Sequence, residues 1–329
     1  MNSKKLGNSD IAISALGMGC WAIGGPVFHG DKPIAYGQTD DAAATLAIHT
    51  ALDLGITFFD TADMYGAGHS ERVLGAALKG RRDKVAVATK FGVRFDEATK
   101  QATFEKDISP QFIRAACEAS LKRLGTDVID LYQYHVNDAN LEDIDMVVET
   151  LEALTQEGKI RAYGHSTDFI DRATKFFQGP NCASMQYNCN LFDPAEEMVS
   201  FCETNGLTGI NRGPLAMGLL TGKYTVGSSL GADDIRGKDS PEWMSFFKGG
   251  KPNPELLAKM DAVREILRSD GRTLAQGALA WLWAHSPVNV PICGIRNEKQ
   301  ARENAGALTF GPLSQPEFLQ IESILRPAS

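Results

Sequence analysis

The chain has 329 residues, 43% of them hydrophobic and 22% charged, with a formal net charge of −8. Such a composition buries a full core and excludes intrinsic disorder, and the acidic balance speaks against a nucleic-acid surface, which needs clustered Lys and Arg. No apolar run approaches the roughly 20 residues that span a bilayer, and Met1-Asn2-Ser3-Lys4-Lys5 opens no signal sequence, so a soluble, cytoplasmic protein with no membrane contact is expected.

The length suits one α/β barrel, about 250 residues plus insertions, as a single domain over residues 1–329. A hairpin is expected at 4–13, then eight short apolar strands at 16–19, 56–60, 85–90, 128–135, 162–166, 184–187, 208–211 and 290–293. Amphipathic stretches lie between them. Start signals stand at Ser109 before Pro110, Asn253 before Pro254 and Asn297 before Glu298. Alternation of this kind builds a parallel sheet, and eight strands in this length predict a closed (β/α)8 TIM barrel. No G-x-G-x-x-G follows a strand, so a Rossmann nucleotide site is not expected. Two segments break the alternation: 24–38 after the first strand and 216–252 after the seventh. The second carries Lys223, Arg236, Trp243, Phe246 and Phe247, and it reads as a lid over a ligand or, less favourably, as a disordered insertion.

The six cysteines (Cys20, Cys117, Cys182, Cys189, Cys202 and Cys293) include no C-x-x-C pair and no His at zinc-ligand spacing. They are expected to be buried small side chains in a reducing compartment, and no metal site is expected.

In such a barrel the chemistry sits where strands end. Asp60, Lys90 and His135 cap the second, third and fourth strands, and Tyr65-Gly66 follows Asp60 on a tight loop. A phenol with a pKa of about 10 is a poor acid at neutral pH unless a cation lowers it, and Lys90 is the candidate cation. A buried lysine needs a carboxylate, here Asp60, to stay charged. His135 then bonds the substrate oxygen. At the eighth strand, Gly294-Ile295-Arg296 runs into a helix capped by Asn297, the usual phosphate site of these barrels, with Arg296 adding a cation. His165 should point opposite to Ser166 and is read as structural.

The ordered set Asp60-Thr61-Ala62-Asp63-Met64-Tyr65-Gly66, Lys90, Leu131-Tyr132-Gln133-Tyr134-His135, Gln186-Tyr187-Asn188, 214–224 and Gly294-Ile295-Arg296 resembles the aldo-keto reductases over nearly the whole chain. The resemblance implies transfer of a hydride from NADPH to an aldehyde or ketone, with Asp60, Tyr65, Lys90 and His135 as the catalytic tetrad, Tyr65 as proton donor, and a small-molecule carbonyl substrate. It places Ser166 and Gln186 on the carboxamide, Arg212 beside the nicotinamide, and Gly19, Trp21 and Asp60 along the cofactor. Gly213, Pro214, Leu215, Met217 and Lys223 line the pyrophosphate, with Gly294, Arg296, Gln300, Glu303 and Asn304 around the adenosine and its 2′-phosphate. The family often has Ser-Asn where this chain has Ser166-Thr167, and an aromatic residue where it has Arg212. The guanidinium brings a charge that disfavours an oxidised nicotinamide and attracts an acidic substrate.

Two competing readings stand beside this one. A regulatory subunit similar to the potassium-channel β-subunits would keep the nucleotide site with little turnover. A Schiff-base aldolase would use Lys90, although Asp60 opposes that by holding the charge. Trp21, Tyr65, Phe91 and Trp243 are candidate walls of an apolar substrate pocket, and the tail after Ala305 is expected to be too short to cover it.

Overall fold

The computed structural model describes residues 3–327; residues 1–2 and 328–329 of the expected domain lie outside the described residues. Eight parallel strands close into a barrel in chain order: Gly17–Gly19, Phe58–Asp60, Ala86–Phe91, Ile129–Tyr134, Ile160–Ser166, Cys182–Asn188, Thr208–Arg212 and Asn289–Gly294. Every boundary expected from sequence is within two residues of the observed one. Alternation across the strands sorts two cores. Phe58, Ala86, Ala88, Leu131, Ala162, Ala183, Ile210, Val290 and Ile292 fill the barrel, while Phe59, Val87, Tyr132, Tyr163, Met185 and Tyr187 face outward to the helices.

The expected hairpin pairs Lys4–Lys5 with Ala12–Ile13 and inserts Leu6, Ile11 and Ile13 into the inner cluster. It closes the bottom of the barrel, tied by Gly7 N to Thr208 Oγ1 at 2.7 Å and by Lys4 Nζ to the carbonyls of Pro287 and Asn289, each at 2.8 Å. The helix starts read from sequence hold as well: Ser109, Asn253 and Asn297 each accept a first-turn amide hydrogen bond, at 3.3, 3.0 and 3.0 Å. All six cysteines are buried and free. The tail forms a helix, Gln315–Leu325, that packs on the barrel's outer helices Pro254–Leu267 and Leu274–His285. No helix among the described residues is long and apolar enough to cross a membrane.

A third excursion escaped the sequence reading. The chain after the third strand makes a hairpin, Val93–Asp96 with Gln101–Lys106, which joins Phe28–His29 and Lys32–Pro33 from the first loop in a four-stranded sheet. Its strands are short and mostly polar, so they lack the apolar run that marked the barrel strands.

The segment 216–252 is an ordered strap rather than a disordered insertion. Arg236 clasps it: the guanidinium binds Asp234 through two nitrogens, at 2.8 and 2.6 Å, and donates to Met217 O at 2.8 Å and Tyr224 OH at 3.0 Å. It also lies 5.0, 5.8 and 5.5 Å from the ring centres of Tyr36, Tyr224 and Phe247. Ile235 N donates to Ala35 O at 2.8 Å, so the strap and the first loop are stitched together. Arg236→Met should unfasten the strap while the barrel stays folded. Limited trypsin digestion should then cut after Lys223 or Lys238 several-fold faster, with the thermal midpoint of the body little changed; an unaltered digestion rate would show that the clasp does not hold the strap.

Candidate active site

Asp60 ends the second strand and Lys90 lies one residue from the end of the third, with Gln133 beside it in register on the fourth. Lys90 is wholly buried and uses all three of its N–H donors: Asp60 Oδ1 at 2.5 Å, Thr61 O at 2.7 Å and Tyr65 OH at 3.3 Å. The other carboxylate oxygen of Asp60 accepts from Gln133 Nε2 and Gln186 Nε2, both at 2.9 Å. Tyr65 is brought over this group by a turn in which Tyr65 N donates to Ala62 O and Gly68 N to Asp63 O at 2.7 Å. Gly66 makes the turn possible. Its φ is +60°, and a Cβ there would lie 1.7 Å from Gly24 O.

Since Lys90 donates to the phenolic oxygen, the hydroxyl hydrogen of Tyr65 is directed away from it. Burial would lower the pKa of Lys90, but Asp60 and Tyr65 outweigh it and hold the ammonium above its ordinary range. Burial also raises the phenol, and Lys90 pulls it back only in part. The expectation that Lys90 brings Tyr65 below its ordinary pKa is therefore corrected: desolvation exceeds the Coulombic pull, and Tyr65 rests protonated. His135 follows the fourth strand, its N–H on Phe91 O at 2.8 Å. Burial, then Lys90 and Arg212, keep the imidazole neutral, well below its usual pKa. Its Nδ1 is buried without a partner. Trp21 stacks on Tyr65 at 5.9 Å and His135 meets the phenol edge-on at 6.0 Å.

Around this group stand the other residues singled out in the sequence. Ser166 ends the fifth strand in register with Gln186, two residues before the end of the sixth, and Gly19 pairs with both Asp60 and Gly294. Beyond the seventh strand, Gly213 has φ +62°, Pro214 and Leu215 are buried, and Met217 and Gly218 also take positive φ. Lys223 is exposed, its ammonium 4.8 Å from the Tyr224 ring centre. Arg296 reaches Tyr36 O at 3.4 Å and Gln38 O at 2.5 Å, its own N–H held by Gln300 Oε1 at 2.8 Å. Glu303 lies a turn further on, its main-chain oxygen on Gln276 Nε2, next to buried Asn304.

Other expectations are revised. Arg212 is ion-paired with Asp168, so its charge is not free to draw an acidic substrate. Phe91 is buried in the outer core, stacked on Tyr132, and so does not wall the mouth, while Trp243 is 61% exposed. Arg236 is committed to its clasp within the strap. His165 is structural as expected, its Nε2 on Val136 O at 3.0 Å and its ring between Tyr134 and Phe176. Two residues were missed. Gln133 could have been found as a polar side chain two residues before His135, on the same strand face; Asp168 meets Arg212 across 44 residues of chain, and no local pattern announces it.

The aldo/keto reductase family model matches residues 15–326. The chain is 32% identical to aldo-keto reductase YhdN of Bacillus subtilis, over 99% of this chain and 94% of that one. It is 31% identical to aldo-keto reductase yakc [NADP(+)] of Schizosaccharomyces pombe, over 93% and 86%. Among solved structures, the glycerol dehydrogenase AKR11B4 of Gluconobacter oxydans is similar with a TM-score of 0.82 at 30% identity, covering 100% of this chain and 97% of that one.

Removing Lys90 leaves a buried carboxylate with no cation. Lys90→Met should cost about 3–5 kcal/mol of stability, and the double variant with Asp60→Asn should regain most of it. Because the folded pKa of Lys90 is raised, the pair's contribution is full below the unfolded value and is lost only as pH climbs through the folded one. The deficit, read by urea unfolding, should therefore be constant from about pH 6 to about pH 9. A single variant as stable as the parent would contradict the account.

Proposed function

Because the chain belongs to the aldo/keto reductase family of oxidoreductases, we propose that it reduces aldehyde or ketone carbonyls to alcohols with NADPH, Tyr65 giving the proton. The carrying observation is the contact of Lys90 Nζ with both Asp60 Oδ1, at 2.5 Å, and Tyr65 OH, at 3.3 Å. It occupies the phenolic oxygen from the inside and leaves its proton to a ligand at the mouth. His135, neutral and with an unpartnered ring nitrogen, orients the substrate oxygen toward that proton. As the proton leaves, negative charge grows on the phenolic oxygen beside a fixed ammonium, which stabilises it. Trp21 excludes water from one side of the ring. Cytoplasmic residence accords with this reading.

NADPH, when bound, supplies the hydride. The residues present fit it: His135 Nδ1 is a buried polar atom without a partner, and Ser166 and Gln186, in register on neighbouring strands, would hold the carboxamide. The turn of Gly213 to Met217 with Lys223 would take the pyrophosphate. Arg296, at the start of the helix Glu298–Phe310, would exchange the Tyr36 and Gln38 carbonyls for the 2′-phosphate, with Gln300, Glu303 and Asn304 around the adenosine. The relative named for NADP(+) supports this choice. Lys90 has no N–H left for a substrate and stays charged, which speaks against a Schiff base.

Tyr65→Phe keeps the ring and removes the proton, so kcat for a reactive aldehyde should fall about 10²- to 10⁴-fold with cofactor affinity nearly unchanged. A near-normal kcat, with chemistry rate-limiting, would refute the role; tight cofactor binding with negligible turnover in the wild type would favour the regulatory reading. Arg296→Ala should weaken NADPH by about 10- to 150-fold and leave NADH nearly unaffected. Fluorescence titration of both cofactors decides it, since equal weakening would show that Arg296 does not read the 2′-phosphate.

A further inference from the structure

Arg212 ends the seventh strand, in register with Asn188 on the sixth. After the larger effect of burial, its charge is among those felt by His135 and Tyr65, so it lies within electrostatic reach of the reacting group. A lone guanidinium there would repel an oxidised nicotinamide, which is a cation, and would leave the neutral reduced ring alone.

The guanidinium is not alone. Its Nη2 donates to Asp168 Oδ2, and Asp168 is itself fixed by the end of the sixth strand and the loop after the fourth. Oδ1 accepts from Asn188 N at 2.8 Å, the main-chain N of Asp168 donates to Asn137 Oδ1 at 2.8 Å, and Thr167 Oγ1 anchors the turn on Asn137 O at 2.7 Å. The loop after the fifth strand is thus built to hold one carboxylate against one cation at the mouth.

We propose that Asp168 is a positioning residue that sets the enzyme's balance between oxidised and reduced cofactor, by pairing with Arg212 and cancelling its charge beside the nicotinamide. This rests on the NADP(H) reading above. NADP+ and NADPH share every group except the nicotinamide ring, so the ratio of their dissociation constants reports the field at that ring and cancels whatever acts on the rest of the molecule.

The test is fluorescence titration of both forms on the wild type, Asp168→Asn, Arg212→Met and the double variant. Asn keeps an oxygen for Asn188 N and so preserves the loop. Both side chains are 36% exposed, so solvent moderates the effect. Asp168→Asn should weaken NADP+ about three- to ten-fold relative to NADPH, and high salt should shrink the difference. Arg212→Met should shift the ratio the other way, and the double variant should return it to the wild-type value. Equal weakening of both forms in Asp168→Asn would make Asp168 a loop brace only, and an unchanged ratio would show that the pair does not act at the ring; either overturns the proposal. A wild type that binds neither form would instead overturn the cofactor reading, and this proposal with it.

Discussion

A lysine and an aspartate with side chains 0% and 2% exposed have given up water that is worth several kcal/mol to each ion, and the protein has to replace it group by group. That requirement arranges the mouth of the barrel. Lys90 needs three acceptors and finds them in a carboxylate, a carbonyl and a phenol. Asp60 needs donors on its second oxygen, and the amides of Gln133 and Gln186 supply them from strands four and six. Tyr65 then occupies the one direction in which the ammonium still has a hydrogen to give, so the turn after Asp60 is committed to bringing a hydroxyl there. The same arrangement buries the Lys90–Asp60 pair behind a protonated phenol, a neutral imidazole and an indole.

A second layer is held by arginines as well as by apolar contact. Arg236 and Arg296 both reach toward the first loop, one through the Tyr36 ring and the other through the Tyr36 and Gln38 carbonyls. The two differ in consequence. Arg236 is paired with Asp234 and buried among three rings, so its bonds are part of the fold. Among the described residues the Arg296 guanidinium donates to neutral carbonyls, which a phosphate dianion can outbid because charge-assisted bonds are the stronger kind.

The barrel was legible because its strands are short apolar runs between capped helices, and periodicity reads both directly. The candidate catalytic group was legible for a related reason: Asp60, Lys90 and His135 each interrupt such a run at or next to its end, where a titratable side chain is conspicuous. What was hidden depends on register between distant strands. Gln133 acquires its role only because the third and fourth strands place it beside Lys90, and Asp168 only because its loop folds toward the seventh strand. The sign of the Tyr65 shift was misread for a different reason, since sequence shows which charges are near but not how completely the ring is taken out of water.

The small sheet beside the mouth joins two loops that are far apart in the chain. Phe28–His29 and Gln101–Lys106 are its inner strands, linked by Phe28 N to Lys100 O at 2.9 Å, Gln101 Nε2 to Gly30 O at 3.2 Å and the His29 ring to Ala102 O at 3.0 Å. Neither hairpin has a covered edge without the other, and a two-stranded hairpin is marginal by itself. Loop exchange between homologues is therefore a two-piece operation in this protein. A graft that brings in a new first loop with the resident 93–106 hairpin leaves an unmatched edge, whereas the two transplanted together travel as one module.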